Sequence, residues 1–232
     1  MKAMILAAGR GKRMRPLTDT MPKPLLQIAG KSLIEYHIEA LVKTGITDLV
    51  INHAWLGDKI EAQLGDGSCY GAKIQYSREG QALETAGGIK NALPLLGDEP
   101  FIVVNGDVFT DYSFEPLKQL CQHLTETKMV HLVLVDNPEH NLGGDFYCQN
   151  NTVIDPRSCE LDNETAYTFS GIACYAPAFF SGIKAGKQAL APMLRTAMGK
   201  RQVSGEIYCG TWCDVGTPER LKELNLGSNT RP

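Results

Sequence analysis

The sequence predicts an α/β fold with a mixed, mostly parallel central sheet, and two observations carry that prediction. In the first half of the chain, short apolar runs alternate with segments whose apolar residues repeat at helical spacing. This alternation is typical of parallel strands that helices cover on both faces. After about residue 140, short strand patterns follow one another without helices between them, so we expect an antiparallel contribution to the sheet there.

The same patterns predict the individual elements in chain order. Strands are expected at Met4–Ala7, Leu49–Asn52, Lys73–Ser77, Phe101–Asn105, Val130–Val135, Asp145–Cys148, Thr152–Ile154, Phe169–Tyr175 and Gly205–Tyr208. Helices are expected between Ser32 and Gly45, and at Asp58–Leu64, Thr85–Leu93, Phe114–Leu124, Leu190–Met198 and Pro218–Leu224. Ser32 and Glu35 match a capping box at the start of the first helix, and Pro94 is expected to stop the third.

The composition is that of an ordinary globular protein and excludes several classes. The 232 residues include 43% hydrophobic and 21% charged residues, and the net charge of −3 gives no global attraction for nucleic acid. The apolar run at the N-terminus is too short for a signal peptide, and no stretch approaches the ~18 apolar residues of a membrane span, so we expect a cytoplasmic protein. The seven cysteines form no C-x-x-C pair, which argues against a zinc site and favours reduced thiols.

A glycine-rich, basic loop follows the first predicted strand. Gly9 and Gly11 let backbone N–H groups point at phosphate oxygens. Five cations lie within 14 residues of a chain that is acidic overall, namely Arg10, Lys12, Arg13, Arg15 and Lys23. A solvated basic turn is the alternative interpretation, but the position at the ligand-binding edge of a parallel sheet favours phosphate binding.

Two familiar nucleotide motifs fail in this sequence. The dinucleotide fingerprint G-x-G-x-x-G would need glycine where Met14 stands, and a Walker A loop ending at Gly30-Lys31-Ser32 would need glycine at Leu25. The chain is therefore predicted to be neither a dehydrogenase nor a P-loop NTPase. We interpret Gly30-Lys31-Ser32 as a turn and helix cap.

Two aspartates are candidates for a metal site. Asp107 follows the apolar strand that ends at Asn105, and Asp214 stands shortly before the helix predicted at Pro218. An aspartate just past the carboxyl end of a central strand is well placed to bind a metal. The alternatives are a turn aspartate for Asp107 and an aspartate that favours a helix N-terminus for Asp214.

Taken together, these motifs resemble the sugar-1-phosphate nucleotidyltransferase family, the nucleotide-sugar pyrophosphorylases. The matching segments are Leu6–Gly11 with Arg13, Pro22-Lys23-Pro24, Thr85–Gly88, Asn105-Gly106-Asp107 and Trp212–Pro218. They stand in the family's order and span nearly the whole chain. The resemblance implies a Rossmann-like α/β/α sandwich with a smaller β-rich sugar-binding part. It implies one domain over residues 1–232, with nucleotide binding in roughly 1–110 and acceptor binding in roughly 111–226.

Within that family the chain looks most similar to the bacterial N-acetylmuramate α-1-phosphate uridylyltransferases. The segments Asn141–Phe146 and Leu190–Arg195 carry this likeness, as does the end of the chain soon after Pro218. Those enzymes form UDP-N-acetylmuramate and pyrophosphate from UTP and the sugar 1-phosphate in cell-wall recycling. Two positions depart from the wider family, which often has Glu-Lys-Pro near Asp155-Pro156-Arg157 and glycine at Glu84.

The resemblance implies roles for individual residues. Catalysis is expected to depend on Arg13, Lys23 and Asp107, and Mg²⁺ on Asp107 and Asp214. The expected nucleotide-binding residues are Leu6, Ala7, Ala8, Gly9, Gly11, Lys12, Arg13, Lys23, Glu79 and Gly87. The expected acceptor-binding residues are Asn105, Gly144, Asp145 and Asp214.

Two alternatives stay open from the sequence. One is the same chemistry on glucose, mannose or heptose 1-phosphate, or on phosphocholine with CTP. The other is a non-catalytic sensor of nucleotide sugars, although such proteins tend to lose the cations or the aspartate pair that this chain retains. No nucleic-acid or membrane partner is expected, and a monomer is the simplest expectation for assembly.

Overall fold

The protein, described by a computed structural model over residues 1–158 and 165–228, has an α/β architecture. The strands are β1 (Ala3–Leu6), β2 (Gln27–Ile28), β3 (Lys31–Ser32), β4 (Asp48–His53), β5 (Lys73–Arg78), β6 (Phe101–Asn105), β7 (Val108–Thr110), β8 (Val130–Val135), β9 (Tyr147–Gln149), β10 (Thr152–Ile154), β11 (Thr168–Tyr175), β12 (Val203–Tyr208) and β13 (Trp212–Asp214). The helices are α1 (Leu17–Thr20), α2 (Leu33–Lys43), α3 (Gly57–Leu64), α4 (Glu84–Leu96), α5 (Phe114–Cys121), α6 (Leu190–Gly199) and α7 (Pro218–Ser228).

Nine of the described strands form one sheet, in the order β5-β4-β1-β6-β11-β8-β12-β10-β9. The neighbours β5, β4, β1 and β6 are parallel, as are β8 and β12. Strand β11 runs antiparallel between β6 and β8, and β9 with β10 forms an antiparallel hairpin at one edge. The parallel first half and the antiparallel contribution after residue 140 are both confirmed. The sheet continues across residue 110, and the division into two functional parts there stays a prediction.

Helices cover both faces of the sheet because the apolar side chains of each strand alternate between them. Met4 lies in the same buried cluster as Ile89 of α4, whereas its neighbour Ile5 lies in that of Ile38 of α2. Helices α2, α3 and α5 therefore cover one face, and α4 and α6 cover the other. The result is the predicted Rossmann-like α/β/α sandwich.

The prediction that Pro94 ends the third expected helix is wrong. Helix α4 contains Pro94 and continues to Leu96, which is buried in the core. The burial of Leu96 offsets the hydrogen bond that proline cannot make. The helix ends at Leu96 because Gly97 caps it. Gly97 has a φ of 87°, and its N–H donates to the carbonyl of Leu93.

Other boundaries moved by a few residues, and several short elements had no sequence signal. The capping box at Ser32 is confirmed, with its N–H donating to Glu35 Oε2 at 2.9 Å. Helix α5 ends at Cys121 rather than Leu124, and β9 begins two residues after Asp145. The two-residue strands β2 and β3 and the pair formed by β7 and β13 were not predicted, since two or three residues are too few to show periodicity.

The expectations about membrane spans, cysteines and metal sites can be compared with the described residues. No helix within residues 1–158 and 165–228 is long and apolar enough to cross a membrane. The six described cysteines are free, and Cys159 lies outside the described residues. No three potential metal ligands of the described ranges cluster as a protein-only metal site would require.

Candidate active site

The candidate site lies at the carboxyl edge of the parallel strands, where β1 separates from β6. The chain builds β4 and β5 on one side of β1 and then places β6 on the other, so the loops after β1 and β6 diverge and leave a crevice. A first cavity of about 220 Å³ opens there. It is lined by Leu6, Ala7, Ala8, Gly9, Lys23, Pro24, Asn52, Ala82, Glu84, Thr85, Asn105 and Asp107.

A second cavity of about 440 Å³ adjoins the first and shares Glu84, Thr85 and Asn105 with it. Its remaining lining residues are Asp145, Phe146, Phe169, Ala189, Leu190, Ala191, Leu194 and Arg195. The predicted nucleotide-binding residues Leu6 to Gly9 and Lys23 therefore line the first cavity, whereas the predicted acceptor-binding Asp145 lines the second. Asn105 lines both.

The loop after β1 is held in place by its own contacts. Gly11 has a φ of +64°, and its carbonyl accepts a hydrogen bond from the hydroxyl of Thr18 at 2.8 Å. The guanidinium of Arg10 stacks 3.7 Å from the ring centroid of Trp55 and donates to Asp19 at 3.0 Å. These contacts fix the loop before any ligand arrives, which lowers the entropy lost on binding.

The cations of this loop differ in how they are engaged. Arg10 and Arg15 both pair with Asp19, whereas the side chains of Lys12 and Arg13 are exposed. A Cβ atom built at Gly216 would lie 3.5 Å from Nη2 of Arg13, so this guanidinium reaches the segment that carries Asp214. Lys12 and Arg13 are exposed positive charges that follow the cavity-lining segment Leu6–Gly9 within a few residues. Neither side chain lines the wall of the first cavity.

Lys23 is the buried cation of the site. Its residue is only 8% exposed, and Nζ lies 2.5 Å from Oδ2 of Asp107. A 3₁₀ turn that begins after Pro22 directs Lys23 inward, and the side chain of Asp107 remains 38% exposed at the cavity. A buried ammonium ion held by a carboxylate at a cavity wall is well placed to interact with an anionic ligand.

Asp107 and Asp214 are brought together by the short strand pair that the sequence did not reveal. In this pair Asp214 lies opposite Val108, and the N–H of Val215 donates to the carbonyl of Asp107 at 2.9 Å. Two residues that are more than a hundred positions apart in sequence therefore stand on adjoining backbone segments. This placement is the structural basis for treating them as one acidic pair.

The carboxylate of Asp214 already interacts with two basic side chains. Oδ1 lies 2.6 Å from Nη1 of Arg220 and 3.0 Å from Nε2 of His140. Arg220 of helix α7 and His140 of the loop before β9 thus orient Asp214 from two directions.

A chain of hydrogen bonds supports the end of β1 from behind. The N–H of Ala7 donates to Oδ1 of Asn52 at 2.9 Å, and Nδ2 of Asn52 donates to Oε1 of Glu79 at 2.7 Å. The other oxygen of Glu79 accepts from the N–H of Leu83 at 2.9 Å. Glycine at 88 leaves room for this pair, since a Cβ there would lie 2.7 Å from Glu79. Glu79 therefore lies behind Asn52 rather than at the cavity wall.

Gly87 and Gly144, which were predicted to bind substrate, do not line either cavity. A Cβ at Gly87 would lie 2.2 Å from the carbonyl oxygen of Gly186, so this glycine permits close packing of α4 against the chain before α6. Gly144 has a φ of +65°, and a Cβ there would lie 2.6 Å from the carbonyl oxygen of Ala166. Contact with a ligand is thus not what requires glycine at these two positions.

Glu84 stands where both cavities meet, in a strained conformation. Its φ of +60° is one that glycine adopts more readily than any other residue. Its Oε1 lies 3.2 Å from Nζ of Lys187. Backbone strain of this kind is common at ligand sites, and its position here gives both cavities a negative charge that Lys187 partly offsets.

His37 supports the acidic segment from the covered side of the sheet. Burial lowers the pKa of His37 to about 4, so the imidazole is neutral near pH 7. Its Nε2 lies 2.8 Å from the carbonyl oxygen of Val108, next to Asp107. The neutral ring therefore ties α2 to the start of β7.

Comparison with known proteins shows the family to which the chain belongs. The family model described as nucleotidyl transferase matches residues 2–144, well over half of the chain. The chain belongs to the nucleotidyl transferase family. The chain is 56% identical to an N-acetylmuramate α-1-phosphate uridylyltransferase of Neisseria meningitidis, over 96% of each chain. It is 31% identical to the enzyme of the same name from Caulobacter vibrioides, over 94% of this chain and 92% of that one.

Solved structures show the same fold at low identity. A protein of Bacillus anthracis, described as a glucose-1-phosphate thymidylyltransferase in complex with sucrose, has a TM-score of 0.85 at 22% identity. The match covers 100% of this chain and 96% of that one. The described α/β fold is therefore shared with that protein.

Some residues of the site escaped the sequence interpretation. Asn52 and Ala82 line the first cavity of this transferase, and Arg195 lines the second. Asn52 had a usable signal, because it ends a predicted strand at the carboxyl edge of the sheet. Arg195 ends a segment that carries the resemblance to the uridylyltransferases, but its place at the second cavity depends on how α6 packs against the sheet.

Asp107 and Asp214 would supply some of the ligands that a divalent metal such as Mg²⁺ needs, but not a complete set. Carboxylate oxygens are the ligands that Mg²⁺ prefers, and the side chains of Asp107 and Asp214 are 38% and 25% exposed. Because no third acidic, histidine or cysteine side chain of the described residues completes a cluster, the remaining ligands would come from substrate and water. Mg²⁺ commonly binds in this way, with few carboxylates and several phosphate or water oxygens.

Proposed function

We propose that this nucleotidyl transferase forms UDP-N-acetylmuramate and pyrophosphate from UTP and N-acetylmuramate α-1-phosphate, with Mg²⁺. The observation that carries the proposal is the 56% identity to the Neisseria uridylyltransferase over 96% of both chains. The geometry supports it, since a cavity of about 220 Å³ that carries Lys23 adjoins one of about 440 Å³ across shared residues. A cytoplasmic location accords with this substrate pair and stays a prediction.

The reaction would join two anionic phosphates. An oxygen of the sugar phosphate attacks the α-phosphorus of UTP, and the bond from that phosphorus to the β-phosphate oxygen breaks, so that pyrophosphate leaves with the electron pair. The attacking oxygen is already anionic near pH 7 and needs no strong base. Catalysis then depends on positioning and on offsetting negative charge.

The described contacts suggest a division of roles on the donor side. Lys23 would contact the attacking phosphate or the α-phosphate, and Arg13 with Lys12 would hold the departing phosphates. The backbone of Gly9 to Gly11 would donate to the same phosphates. Asp107 and Asp214 would hold Mg²⁺, which when bound reduces the repulsion between the two polyanions.

The base and the acceptor would occupy different cavities. Uracil would lie against Leu6, Ala7 and Ala8 in the first cavity, with Asn52 and Glu79 supporting that edge. The acceptor would extend from Asn105 into the second cavity past Asp145, whose Oδ2 accepts from the N–H of Phe169 at 2.9 Å. Gly87 and Gly144 would act through the backbone shape they allow.

A panel of substrates tests the proposal. Pyrophosphate release is measured with UTP, CTP, GTP and dTTP, each paired with the 1-phosphates of N-acetylmuramate, N-acetylglucosamine, glucose and mannose, with Mg²⁺ or with EDTA. We expect the highest kcat/KM for UTP with N-acetylmuramate 1-phosphate and no turnover in EDTA. Higher kcat/KM with another pair would contradict the substrate assignment, and full turnover in EDTA would contradict the metal.

A further inference from the structure

The second cavity has an apolar wall that contains one cation. Phe146, Leu190 and Leu194 form much of this wall, and Arg195 is the cation. Two carboxylates also border the cavity, and both are already engaged. Glu84 pairs with Lys187 at 3.2 Å, and Asp145 accepts a backbone hydrogen bond.

Arg195 is held in place but its hydrogen-bonding capacity is largely unused. Its side chain is 27% exposed, and Nε lies 3.4 Å from Oδ2 of Asp155. The buried Nε–H makes no hydrogen bond of acceptable geometry with any described residue. The guanidinium carbon lies 5.7 Å from the ring centroid of Phe146, which confines it from a further side.

This arrangement differs from that of Lys23 and Arg220, the other mostly buried cations at the site. A guanidinium carries five N–H donors in a planar fork, and leaving donors unpaired at a partly buried site is costly. Lys23 and Arg220 each have a carboxylate within 2.6 Å, whereas Arg195 has only the longer contact to Asp155. A ligand anion that enters the second cavity would accept from the Nη groups of Arg195, to which no described residue forms a hydrogen bond.

We propose that Arg195 binds a carboxylate on the acceptor sugar, and that Asp155 is a positioning residue which orients its guanidinium. This rests on the proposed function. N-acetylmuramate differs from N-acetylglucosamine by a lactyl ether that carries one carboxylate and one methyl group. The planar fork of arginine matches a carboxylate in two parallel hydrogen bonds, and the apolar wall beside it suits the methyl group.

The test compares two acceptors in matched variants. Initial rates with saturating UTP and Mg²⁺ give kcat and KM for N-acetylmuramate 1-phosphate and N-acetylglucosamine 1-phosphate in the wild type, Arg195→Gln, Arg195→Lys, Asp155→Asn and Arg157→Gln. Arg157 is the matched control, because its Nε lies 3.3 Å from the same Asp155 while its side chain is 64% exposed. Thermal unfolding checks that each variant is folded.

The expected result is a selective loss. Arg195→Gln lowers kcat/KM for the muramate compound by about 10- to 100-fold, mainly through KM, and changes the glucosamine value little. Arg195→Lys restores part of the loss, and Arg157→Gln behaves as the wild type. Asp155→Asn raises KM for the muramate compound without lowering kcat, whereas a purely structural role would affect both acceptors equally.

Other outcomes overturn the proposal and separate it from the proposed function. If the wild type prefers the muramate compound and Arg195→Gln keeps that preference, the assignment of Arg195 is wrong while the function stands. If both acceptors lose activity equally in Arg195→Gln, the guanidinium binds the shared phosphate instead. If the wild type does not use the muramate compound, the proposed function fails and the assignment of Arg195 fails with it.

Discussion

The two cavities of the site are built in different ways. Much of the first is made from one stretch of chain, residues 6 to 24, with the ends of β4 and β6, and its buried cation is paired at 2.5 Å before any ligand binds. The second is made from five separate segments, around residues 84, 105, 145, 169 and 190, and its cation Arg195 makes only a 3.4 Å contact. On the proposed roles of the two cavities, the residues for the reaction would lie mostly in one local motif, whereas the residues for the choice of acceptor would be brought together by tertiary packing.

The largest effect on kcat is expected from Asp107, the aspartate that lines the first cavity. Asp107→Asn removes the charge that pairs with Lys23 and that we assign to Mg²⁺, so kcat should fall by at least ~10²–10³-fold with either acceptor. Asp98→Asn, in an exposed loop, is the control. Steady-state rates and thermal unfolding are measured for both. A near-normal kcat in folded Asp107→Asn would remove the metal assignment.

The next effect separates buried from exposed charge within the donor loop. Lys23→Gln should lower kcat by ~10²-fold, because the lost charge lies in a partly desolvated wall where electrostatic interactions are strong. Lys12→Gln removes an exposed charge that water and salt screen, and should cost less than about tenfold, mostly in KM for UTP. Equal losses in the two variants would mean that burial does not decide their importance.

A smaller effect is expected from the support behind the first cavity. Asn52→Leu leaves the N–H of Ala7 and a carboxylate oxygen of Glu79 without their partner, which should raise KM for UTP by roughly tenfold and lower the free energy of unfolding by about 1–3 kcal/mol. The KM for the acceptor should stay near the wild-type value, because the lost contacts lie behind the first cavity. A selective rise in the KM for the acceptor would contradict the expectation that Asn52 supports the first cavity and not the second.

The smallest effect is expected at the residue that joins the two cavities. Glu84→Gly relieves the left-handed backbone strain, so the free energy of unfolding should be unchanged or higher by up to about 1 kcal/mol. Lys187→Gln is the control, since it removes the ion pair and leaves the backbone conformation alone. Chemical denaturation of both variants provides the values. A clear loss of stability in Glu84→Gly would show that its side chain contributes more than the strain costs.

The sequence predicted the first cavity far better than the second, and the reason is physical. The loop, Lys23 and Asp107 follow strands whose apolar patterns are plain, and parallel strands place their carboxyl ends at one edge. The close approach of Asp214 depends on the pair β7 and β13, which has three residues on each side and no periodicity to detect. Glu79 and Gly87 were predicted to bind the nucleotide, but neither lines the first cavity. Glu79 accepts a hydrogen bond from Asn52, and Gly87 packs against the backbone of Gly186.

If this transferase joins two phosphates and releases pyrophosphate as proposed, ³¹P NMR of one reaction mixture will show both products. UTP, N-acetylmuramate 1-phosphate, Mg²⁺ and the protein are combined, and the phosphorus signals are followed over time. We expect a diphosphate diester and pyrophosphate to appear in equal amounts while the sugar phosphate disappears at the same rate. Appearance of UMP or of inorganic phosphate with the sugar phosphate unchanged would instead indicate hydrolysis and would contradict it.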